Sequence, residues 1–171
     1  MSSEPRWVSG LSLNYCMVIT SDKVYAGLKE DRITPLVSST LESRGRRLAA
    51  VTKVRNTFEE IVSTIASMAS RRECDIILVT GGTGPGPRDV TADAVSRLAI
   101  YTLPGYGEEF RRLSASEVGP RGLLSRAEAY VLPGGTPVFT TPGNPGAVSL
   151  ALKIILGLDT HLVDQLKGKG H

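Results

Sequence analysis

Two glycine-rich segments contain the residue types best suited to bind an anionic ligand. The longer one reads GGTGPGPRDVTADA, from Gly81 to Ala94. Consecutive glycines let backbone N–H groups approach an anion closely, and the helix predicted after the loop adds its positive N-terminal end. The segment lacks the lysine of a P-loop and the spacing of a dinucleotide-binding fingerprint. It therefore predicts phosphate binding of another kind, by Gly81, Gly82, Thr83 and Gly84.

Two carboxylates follow in the same segment. Asp89 and Asp93 are four residues apart, which places both near one face of the start of the next helix. A carboxylate beside a bound phosphate repels it unless a cation lies between them. Mg²⁺ takes one or two carboxylates together with phosphate oxygens, so Asp89 is the predicted metal ligand and Mg²⁺ the predicted cofactor. The loop alone leaves an alternative open, in which Asp89 only caps the helix.

The second segment is TPGNPG, from Thr141 to Gly146, and it also joins a short strand to a helix. An asparagine followed by proline is typical of a helix start. Loops that follow parallel strands collect at one edge of the sheet, where ligands bind. We therefore expect this loop to form the opposite wall of a single ligand cleft, through Pro142, Gly143, Asn144 and Pro145.

Strands alternate with helices along the chain, which predicts an α/β fold with a mostly parallel sheet covered on both faces. The apolar runs predict strands over residues 13–20, 48–54, 75–80, 129–132 and 138–141. Helices are predicted to start at Thr34-Pro35, with Thr34 as the cap, and at Thr57, where Thr57 and Glu60 match a capping box. Further helices are predicted over residues 91–98 and 106–113 and from Asn144-Pro145 onward.

Composition excludes several classes of protein. The chain has 171 residues, 41% hydrophobic and 22% charged, as expected for one folded domain over residues 13–171 after a loosely ordered arm over residues 1–12. It has no apolar run of membrane-spanning length and no apolar N-terminal stretch of the kind found in signal peptides, so we expect a cytoplasmic protein without a membrane partner. The net charge is +3 and the basic residues are scattered, which argues against nucleic acid as a partner.

The two cysteines, Cys16 and Cys74, each lie in or beside an apolar, strand-like run. No Cys-x-x-Cys pair suggests a metal site, and a disulfide framework usually needs more cysteines in a smaller chain. The prediction is two reduced thiols packed in the core.

Taken together, these segments resemble the MoaB/MogA family of molybdenum cofactor biosynthesis proteins, which is related to the molybdopterin-binding G domain of gephyrin. The resemblance covers about residues 13–166, and its pieces occur in the family's order. They are Ser21-Asp22, Gly27, Glu30-Asp31, GGTGPGPRDVTADA, LPGYGEEFR, LLSRA and PGNPGAV. The resemblance implies a three-layer α/β/α fold and a homotrimer, or a hexamer built from two trimers.

The resemblance also implies a reaction, the Mg²⁺-dependent transfer of AMP from ATP to the terminal phosphate of molybdopterin, which releases pyrophosphate. By position, Asp89 matches the family's essential carboxylate. The phosphate nucleophile is already dianionic at neutral pH and needs no strong base, so the remaining task is to position two polyanions and neutralise their charge. Arg88 and Arg126 are candidates for that task. Other positions that match the family near the cleft are Ser21, Asp22, Glu108, Ser125 and Arg126.

One position departs from the family. After the second strand the family usually has an aspartate, and this chain has Asn56 there. The asparagine carbonyl can still bind a hard cation, but it lacks the charge. Two hypotheses follow, an active molybdopterin adenylyltransferase that uses Asp89 and Asn56, or a molybdopterin-binding assembly or carrier protein of the same family without that activity.

Overall fold

The computed structural model describes residues 12–169. Six strands form one sheet, in the order β2-β1-β3-β6-β5-β4. The strands are β1 (Asn14–Thr20), β2 (Arg47–Val54), β3 (Ile76–Thr80), β4 (Tyr101–Leu103), β5 (Ala129–Leu132) and β6 (Thr136–Thr141). The first three and β6 run parallel, while β5 is antiparallel to both of its neighbours. The prediction of a mostly parallel sheet is confirmed.

Seven α-helices and one 3₁₀ helix, Pro120–Leu124, connect the strands within the described residues. The α-helices are α1 (Asp22–Tyr25), α2 (Ile33–Ser43), α3 (Phe58–Ser70), α4 (Thr91–Leu98), α5 (Pro104–Val118), α6 (Pro145–Leu156) and α7 (Asp159–Leu166). The sequence patterns did not predict β4, α1, α7 or the 3₁₀ helix, since each is too short to show a clear period.

The core has two halves, one on each face of the sheet, which confirms the three-layer α/β/α architecture. One face packs against α2, α5, α6 and α7, and Tyr106 and Phe110 of α5 are buried there. The other face packs against α3 and α4, through Ile61, Ile65 and Val95 among others. The central strands are buried on both faces, as their continuous apolar sequences predict.

One predicted helix cap, Thr34, is wrong, and at α3 the predicted cap residue Thr57 is in place but its capping box does not form. Helix α2 begins one residue before Thr34, and Asp31 caps it by accepting the N–H groups of Ile33 and Thr34. The capping box of α3 does not form, because Glu60 is turned back onto Arg55, whose N–H and guanidinium it binds. At α2 the Asp31 carboxylate caps a helix that begins earlier than expected. At α3 the Arg55 side chain binds the Glu60 carboxylate that the capping box would have used.

The cysteine prediction is also wrong, since Cys16 and Cys74 form a disulfide. Cys16 lies on β1 and Cys74 lies just before the neighbouring strand β3, which brings their Cα atoms to 5.6 Å. That separation is within the range a disulfide requires. The sequence argument considered each cysteine in its own run and not the pairing of the two strands.

The opposite face of the same region contains a buried ion pair. Asp159, at the start of α7, is fully buried and accepts four hydrogen bonds. Two come from the Arg46 guanidinium at 2.6 and 3.0 Å, one from the Tyr15 hydroxyl at 2.6 Å and one from the Thr160 N–H at 2.7 Å. Burial, and then the Asp159 charge, raise the pKa of Tyr15, so its hydroxyl remains a donor.

No single helix within residues 12–169 has the length and apolar composition needed to cross a membrane. Only α6 and α7 taken together reach that length, with a bend of 59° between them. Residues 1–11 of the predicted arm lie outside the described residues.

Candidate functional site

Three loops meet at the carboxyl edge of the sheet, after β1, β3 and β6. The chain crosses from one side of β1 to the other at this point, which is where open α/β sheets bind ligands. The Gly81 N–H donates to the Thr141 carbonyl at 2.8 Å, and a side chain on Gly143 would lie 3.3 Å from the Gly81 Cα. The two glycine-rich segments therefore pack against each other at this edge.

Glycine is required at two positions of the first loop. Gly81 and Gly82 have φ angles of 97° and 68°, which residues with side chains rarely adopt. A Cβ on Gly81 would also lie 2.4 Å from the Thr20 carbonyl, and one on Gly82 would lie 2.4 Å from the Thr91 hydroxyl. The loop can approach its neighbours this closely only without those side chains.

Three consecutive carbonyls of this loop are held by hydrogen bonds. The Thr91 hydroxyl donates to Gly81 O at 2.7 Å, and the Thr91 N–H donates to Gly82 O at 3.1 Å. The Arg126 N–H donates to Thr83 O at 2.6 Å. In a trans peptide the N–H points opposite to the C=O, so the N–H groups that follow these carbonyls point away from Thr91 and Arg126.

Those three N–H groups belong to Gly82, Thr83 and Gly84, and none has a protein acceptor within residues 12–169. Successive N–H groups directed to one side form an anion-binding arrangement of backbone dipoles. The sequence predicted these residues for this role. It missed Thr91, which is fully buried and orients two of the three peptides, although Thr91 belongs to the same motif.

A cleft of about 320 Å³ lies between the loops. Six of the predicted residues line it: Ser21, Gly81, Gly82, Gly143, Asn144 and Pro145. The cleft is also lined by residues that the sequence did not assign to the site: Lys29, Glu30, Asp31 and Arg32 before and at the start of α2, and Thr20 and Thr80 at the strand ends. The Thr80 hydroxyl is buried without a partner among the described residues.

Of the two acidic residues that line the cleft, Asp31 is already occupied by protein donors. Burial alone would raise the pKa of Asp31, but hydrogen bonds from the Thr34 hydroxyl and N–H and from the Ile33 N–H outweigh burial and lower it. Lys53, 3.6 Å away, adds to that lowering. Asp31 therefore serves the start of α2. Arg32 pairs with Glu30 at 3.7 Å, and Lys29 also lies at the cleft.

Arg126 contacts the glycine loop from behind. Its guanidinium donates to the Gly84 carbonyl at 3.0 Å and to the Asp89 carbonyl at 2.6 Å, and it pairs with Asp93 at 3.2 Å. We predicted that Arg126 and Asp93 contact substrate, and the structure places both in contacts that hold the loop. Neither residue lines the cleft.

Asp89 lies in the loop before α4 and not on the helix, and Val90 occupies the cap position. The alternative that Asp89 caps the helix is therefore wrong. Its Oδ2 accepts the Gly86 N–H at 3.0 Å, and side chains on Gly84 or Gly86 would lie 2.7 and 2.8 Å from that oxygen. The loop is folded closely around the carboxylate, while Oδ1 accepts no bond from the described residues.

The residues around Asp89 can supply part of the coordination that Mg²⁺ requires. Within the described part of the chain, no three His, Cys, Asp or Glu side chains cluster closely enough to hold a metal ion. Asp89 offers one free carboxylate oxygen beside a loop built for phosphate. Mg²⁺ is commonly held by one or two carboxylates together with substrate phosphates and water. The residues therefore fit a cation that arrives with a nucleotide.

A set of hydrogen bonds, named here the Asp22–Asn56–Arg88 bracket, joins the three segments that follow β1, β2 and β3. The Asn56 N–H donates to Asp22 Oδ1 at 2.9 Å, and the Arg88 guanidinium donates to Asp22 Oδ2 at 3.1 Å. The Asn56 amide nitrogen donates to the Arg88 carbonyl. The structure thus brings together three residues that the sequence assigned to the site separately.

The remaining predicted residues lie around this centre. Thr83 is buried in the loop, and Pro142 is half-buried beside the cleft. The Ser125 hydroxyl accepts the Ala127 N–H at 3.2 Å. Glu108 is exposed on α5 and does not line the cleft.

A three-layer α/β/α domain with a backbone anion site at its carboxyl edge defines a protein that binds a phosphorylated ligand. Comparison with known proteins gives the particular family. A family model described as "Probable molybdopterin binding domain" matches residues 16–161. The chain belongs to the MoaB/MogA family of molybdenum cofactor biosynthesis proteins.

Relatives and solved structures agree with this assignment. The chain is 36% identical over 154 residues to molybdenum cofactor biosynthesis protein B of Bacillus subtilis, covering 89% of each chain. A crystal structure of a molybdenum cofactor biosynthesis protein B has a TM-score of 0.85 at 30% identity, over 93% of this chain and 98% of that one. The tungsten cofactor synthesizing protein MoaB from Pyrococcus furiosus has a TM-score of 0.84 at 28% identity, over 93% and 99%.

Proposed function

We propose that this protein transfers AMP from ATP to the terminal phosphate of molybdopterin, with Mg²⁺ as cofactor. The observation that carries the proposal is the set of N–H groups of Gly82, Thr83 and Gly84, which point away from Thr91 and Arg126 and have no acceptor within the described residues, in the loop that also contains Asp89. This combination suits two phosphorylated substrates and one cation. Membership of a molybdenum cofactor biosynthesis family supports molybdopterin as the acceptor.

The reaction needs little covalent chemistry from the protein. An oxygen of the pterin phosphate attacks the α-phosphorus of ATP, the bond to pyrophosphate breaks, and pyrophosphate leaves. The attacking phosphate is mostly dianionic at neutral pH, so no general base is required. Mg²⁺, when bound, neutralises charge on the nucleotide phosphates.

The chain's own residues supply position and electrostatic stabilisation. The backbone N–H groups of the glycine loop act as fixed dipoles, which cost no reorganisation during the reaction. Lys29 and Arg32 lie at the cleft. The Arg88 side chain pairs with Asp22 but is 85% exposed, so its remaining N–H groups can contact a nucleotide bound over the loop. Arg126 holds the loop through its carbonyls, so we assign it to positioning and not to substrate contact.

The size of the cleft limits what it can hold. A volume of about 320 Å³ lies at the lower end of the range for small-molecule sites, roughly 300–1,000 Å³. It therefore accommodates one substrate, and we place the pterin there. ATP then binds over the outer surface of the glycine loop, next to Asp89 and Arg88.

The second candidate is a molybdopterin-binding assembly or carrier protein without this activity. Asn56 favours it, because the bracket contains an amide where a second carboxylate would strengthen a cation site. Asp89 also belongs to no group of three His, Cys, Asp or Glu side chains that could hold a metal ion among the described residues.

We further propose a homo-oligomer, supported by large apolar side chains that are more than 55% exposed within the described residues, among them Ile100, Leu123 and Leu124. Whether it is a trimer or a hexamer stays a prediction, as does its cytoplasmic location.

The test is pyrophosphate release from Mg-ATP, with and without molybdopterin, by the wild type and Asp89→Asn. The asparagine keeps an oxygen that can accept the Gly86 N–H, so it removes charge while preserving the loop. Asp89→Ala, which removes both, is the comparison variant. We expect release that requires the pterin and falls at least about 100-fold in Asp89→Asn, since charge stabilisation at a metal is worth several kcal/mol.

The alternative makes a different prediction for the same experiment. Tight binding of molybdopterin with no release by the wild type would reject the adenylyltransferase and leave the carrier. Equal release by wild type and Asp89→Asn would reject the role of the carboxylate.

A further inference from the structure

The orientation of the Asn56 side chain is determined by its nitrogen and not by its oxygen. The amide nitrogen donates to the Arg88 carbonyl, whereas Oδ1 is buried without a partner in the described part of the chain. Reversing the amide would place two acceptor oxygens against each other. The buried oxygen is costly, so the donated hydrogen bond is what keeps the side chain in this position.

This bond fixes the segment that carries the proposed cation ligand. Arg88 immediately precedes Asp89, and its carbonyl is the point where Asn56 contacts the loop. The other two bonds of the bracket, both to Asp22, join the segments after β1, β2 and β3 around the same place. The Arg88–Asp89 segment is thus held by protein groups, since Asn56 donates to the Arg88 carbonyl, Arg126 donates to the Asp89 carbonyl and the Arg88 guanidinium binds Asp22.

We propose that Asn56 is a positioning residue whose amide N–H holds the Arg88–Asp89 segment in place without a bridging cation. The inference deepens the proposed function, because it explains how the Asp89 carboxylate is kept ready for a nucleotide. The proposal concerns one hydrogen bond, and its effect on stability is measured separately from the activity.

An aspartate in this position would have the same shape but no donor. Its carboxylate would face the Arg88 carbonyl and lie beside the Asp22 carboxylate, so acceptor would meet acceptor. The nearby guanidinium of Arg88 is already bound to Asp22. A divalent cation shared between the carboxylate and the carbonyl would then be needed to hold the segment, because hard cations accept both kinds of oxygen.

The test compares two asparagine-to-aspartate changes at the same edge of the sheet, Asn56→Asp and Asn144→Asp. Asn144 is the matched control because it uses its oxygen: Oδ1 accepts the Ala147 N–H at 2.9 Å at the start of α6. Aspartate caps a helix about as well as asparagine, and a negative charge is favourable at a helix N-terminus. Both variants gain the same charge, but only Asn56→Asp loses a hydrogen bond that the amide nitrogen donates in the structure.

Chemical unfolding is measured in a chelator and again in millimolar MgCl₂. In the chelator we expect Asn56→Asp to lower the folding equilibrium constant about tenfold, or about 1.4 kcal/mol, and Asn144→Asp to change it by less than about twofold. MgCl₂ restores most of the loss in Asn56→Asp and leaves the wild type unchanged. Amide hydrogen exchange over residues 82–90 is faster in Asn56→Asp without Mg²⁺ and returns to the wild-type rate with it.

Wild-type stability of Asn56→Asp in the chelator would overturn the proposal, as would an equal gain from MgCl₂ in the wild type. If Asn56→Asp does not fold, Asn56→Ala serves instead, because it removes the donor without adding charge. We expect Asn56→Ala to lose stability without responding to Mg²⁺, and a response to Mg²⁺ would overturn the proposal. An absence of pyrophosphate release together with the expected unfolding results would reject the proposed function and leave this inference standing.

Discussion

The two ends of the central sheet differ in how they treat polar groups. At the amino end, Asp159 has four donors around it and the two cysteines are joined covalently. At the carboxyl end, the Asn56 and Thr80 side chains each leave a buried oxygen unpartnered within the described residues, and three successive N–H groups lack an acceptor.

The two ends of the sheet therefore serve different purposes, stability at the amino end and ligand binding at the carboxyl end. A fully paired buried network contributes rigidity, and losing one member leaves a costly charge behind. Unpaired groups cost stability in the free protein but become favourable when a ligand satisfies them. The amino end therefore stabilises the sheet, and the carboxyl end keeps polar groups available for a ligand.

The largest expected effect is at the amino end. Asp159→Ala leaves the largely buried Arg46 guanidinium without its partner, and we expect a loss of about 3–5 kcal/mol in the free energy of unfolding. Asp164→Ala, on the same helix, is the control and should cost less than about 0.5 kcal/mol. Denaturant titration measures both. Equal stability of the two variants would show that the buried pair does not stabilise this end.

Opening the Cys16–Cys74 disulfide is expected to have the next largest effect. The two residues are 58 apart in sequence, and a cross-link of that span stabilises by about 2–4 kcal/mol, mainly by restricting the unfolded chain. Denaturant titration with and without a dithiol reductant measures the loss. The double variant Cys16→Ala/Cys74→Ala should not respond to reductant. A wild type that is equally insensitive would mean that the cross-link adds nothing.

The smallest change in stability is expected at the carboxyl end. Thr91→Val removes the hydroxyl that binds the Gly81 carbonyl and should cost about 1–3 kcal/mol. Its larger consequence is weaker binding of inorganic pyrophosphate, measured by calorimetry, because the N–H groups of the loop are no longer held in one direction. Thr91→Ser keeps the hydroxyl and should bind as the wild type does. Unchanged binding by Thr91→Val would contradict the orienting role.

The sequence predicted the sheet and the anion loop well because both depend on local patterns. A continuous apolar run such as that of β3, and glycines where φ must be positive, are visible without the fold. Thr91 and the disulfide depend on which segments become neighbours, and a single sequence does not show that directly. The capping errors at Thr34 and Glu60 have the same origin, because Asp31 and Arg55, which neither motif includes, form the hydrogen bonds at these two helix starts.

The site predictions follow the same division. Glycines of both loops and Asn144 line the cleft as expected, because their place after a strand determines it. Arg126 was assigned by charge, but its guanidinium contacts two carbonyls of the loop and Asp93 of α4, which only the folded chain brings together. Lys29 and Arg32 were missed because the match to the family between α1 and α2 rests on Gly27 and Glu30-Asp31, and no residue of that segment was assigned to the site.

The disulfide also makes part of the chain a closed loop in the covalent sense. Residues 16–74 form a ring that includes α2 and α3, so one proteolytic cut inside it would leave a single molecule until the bond is reduced. Among the residues that line the cleft, Ser21 and Lys29 belong to this ring, whereas Gly81 and Asn144 do not. Reduction of the disulfide would therefore change the covalent connectivity of the first two residues and leave that of the second two unchanged.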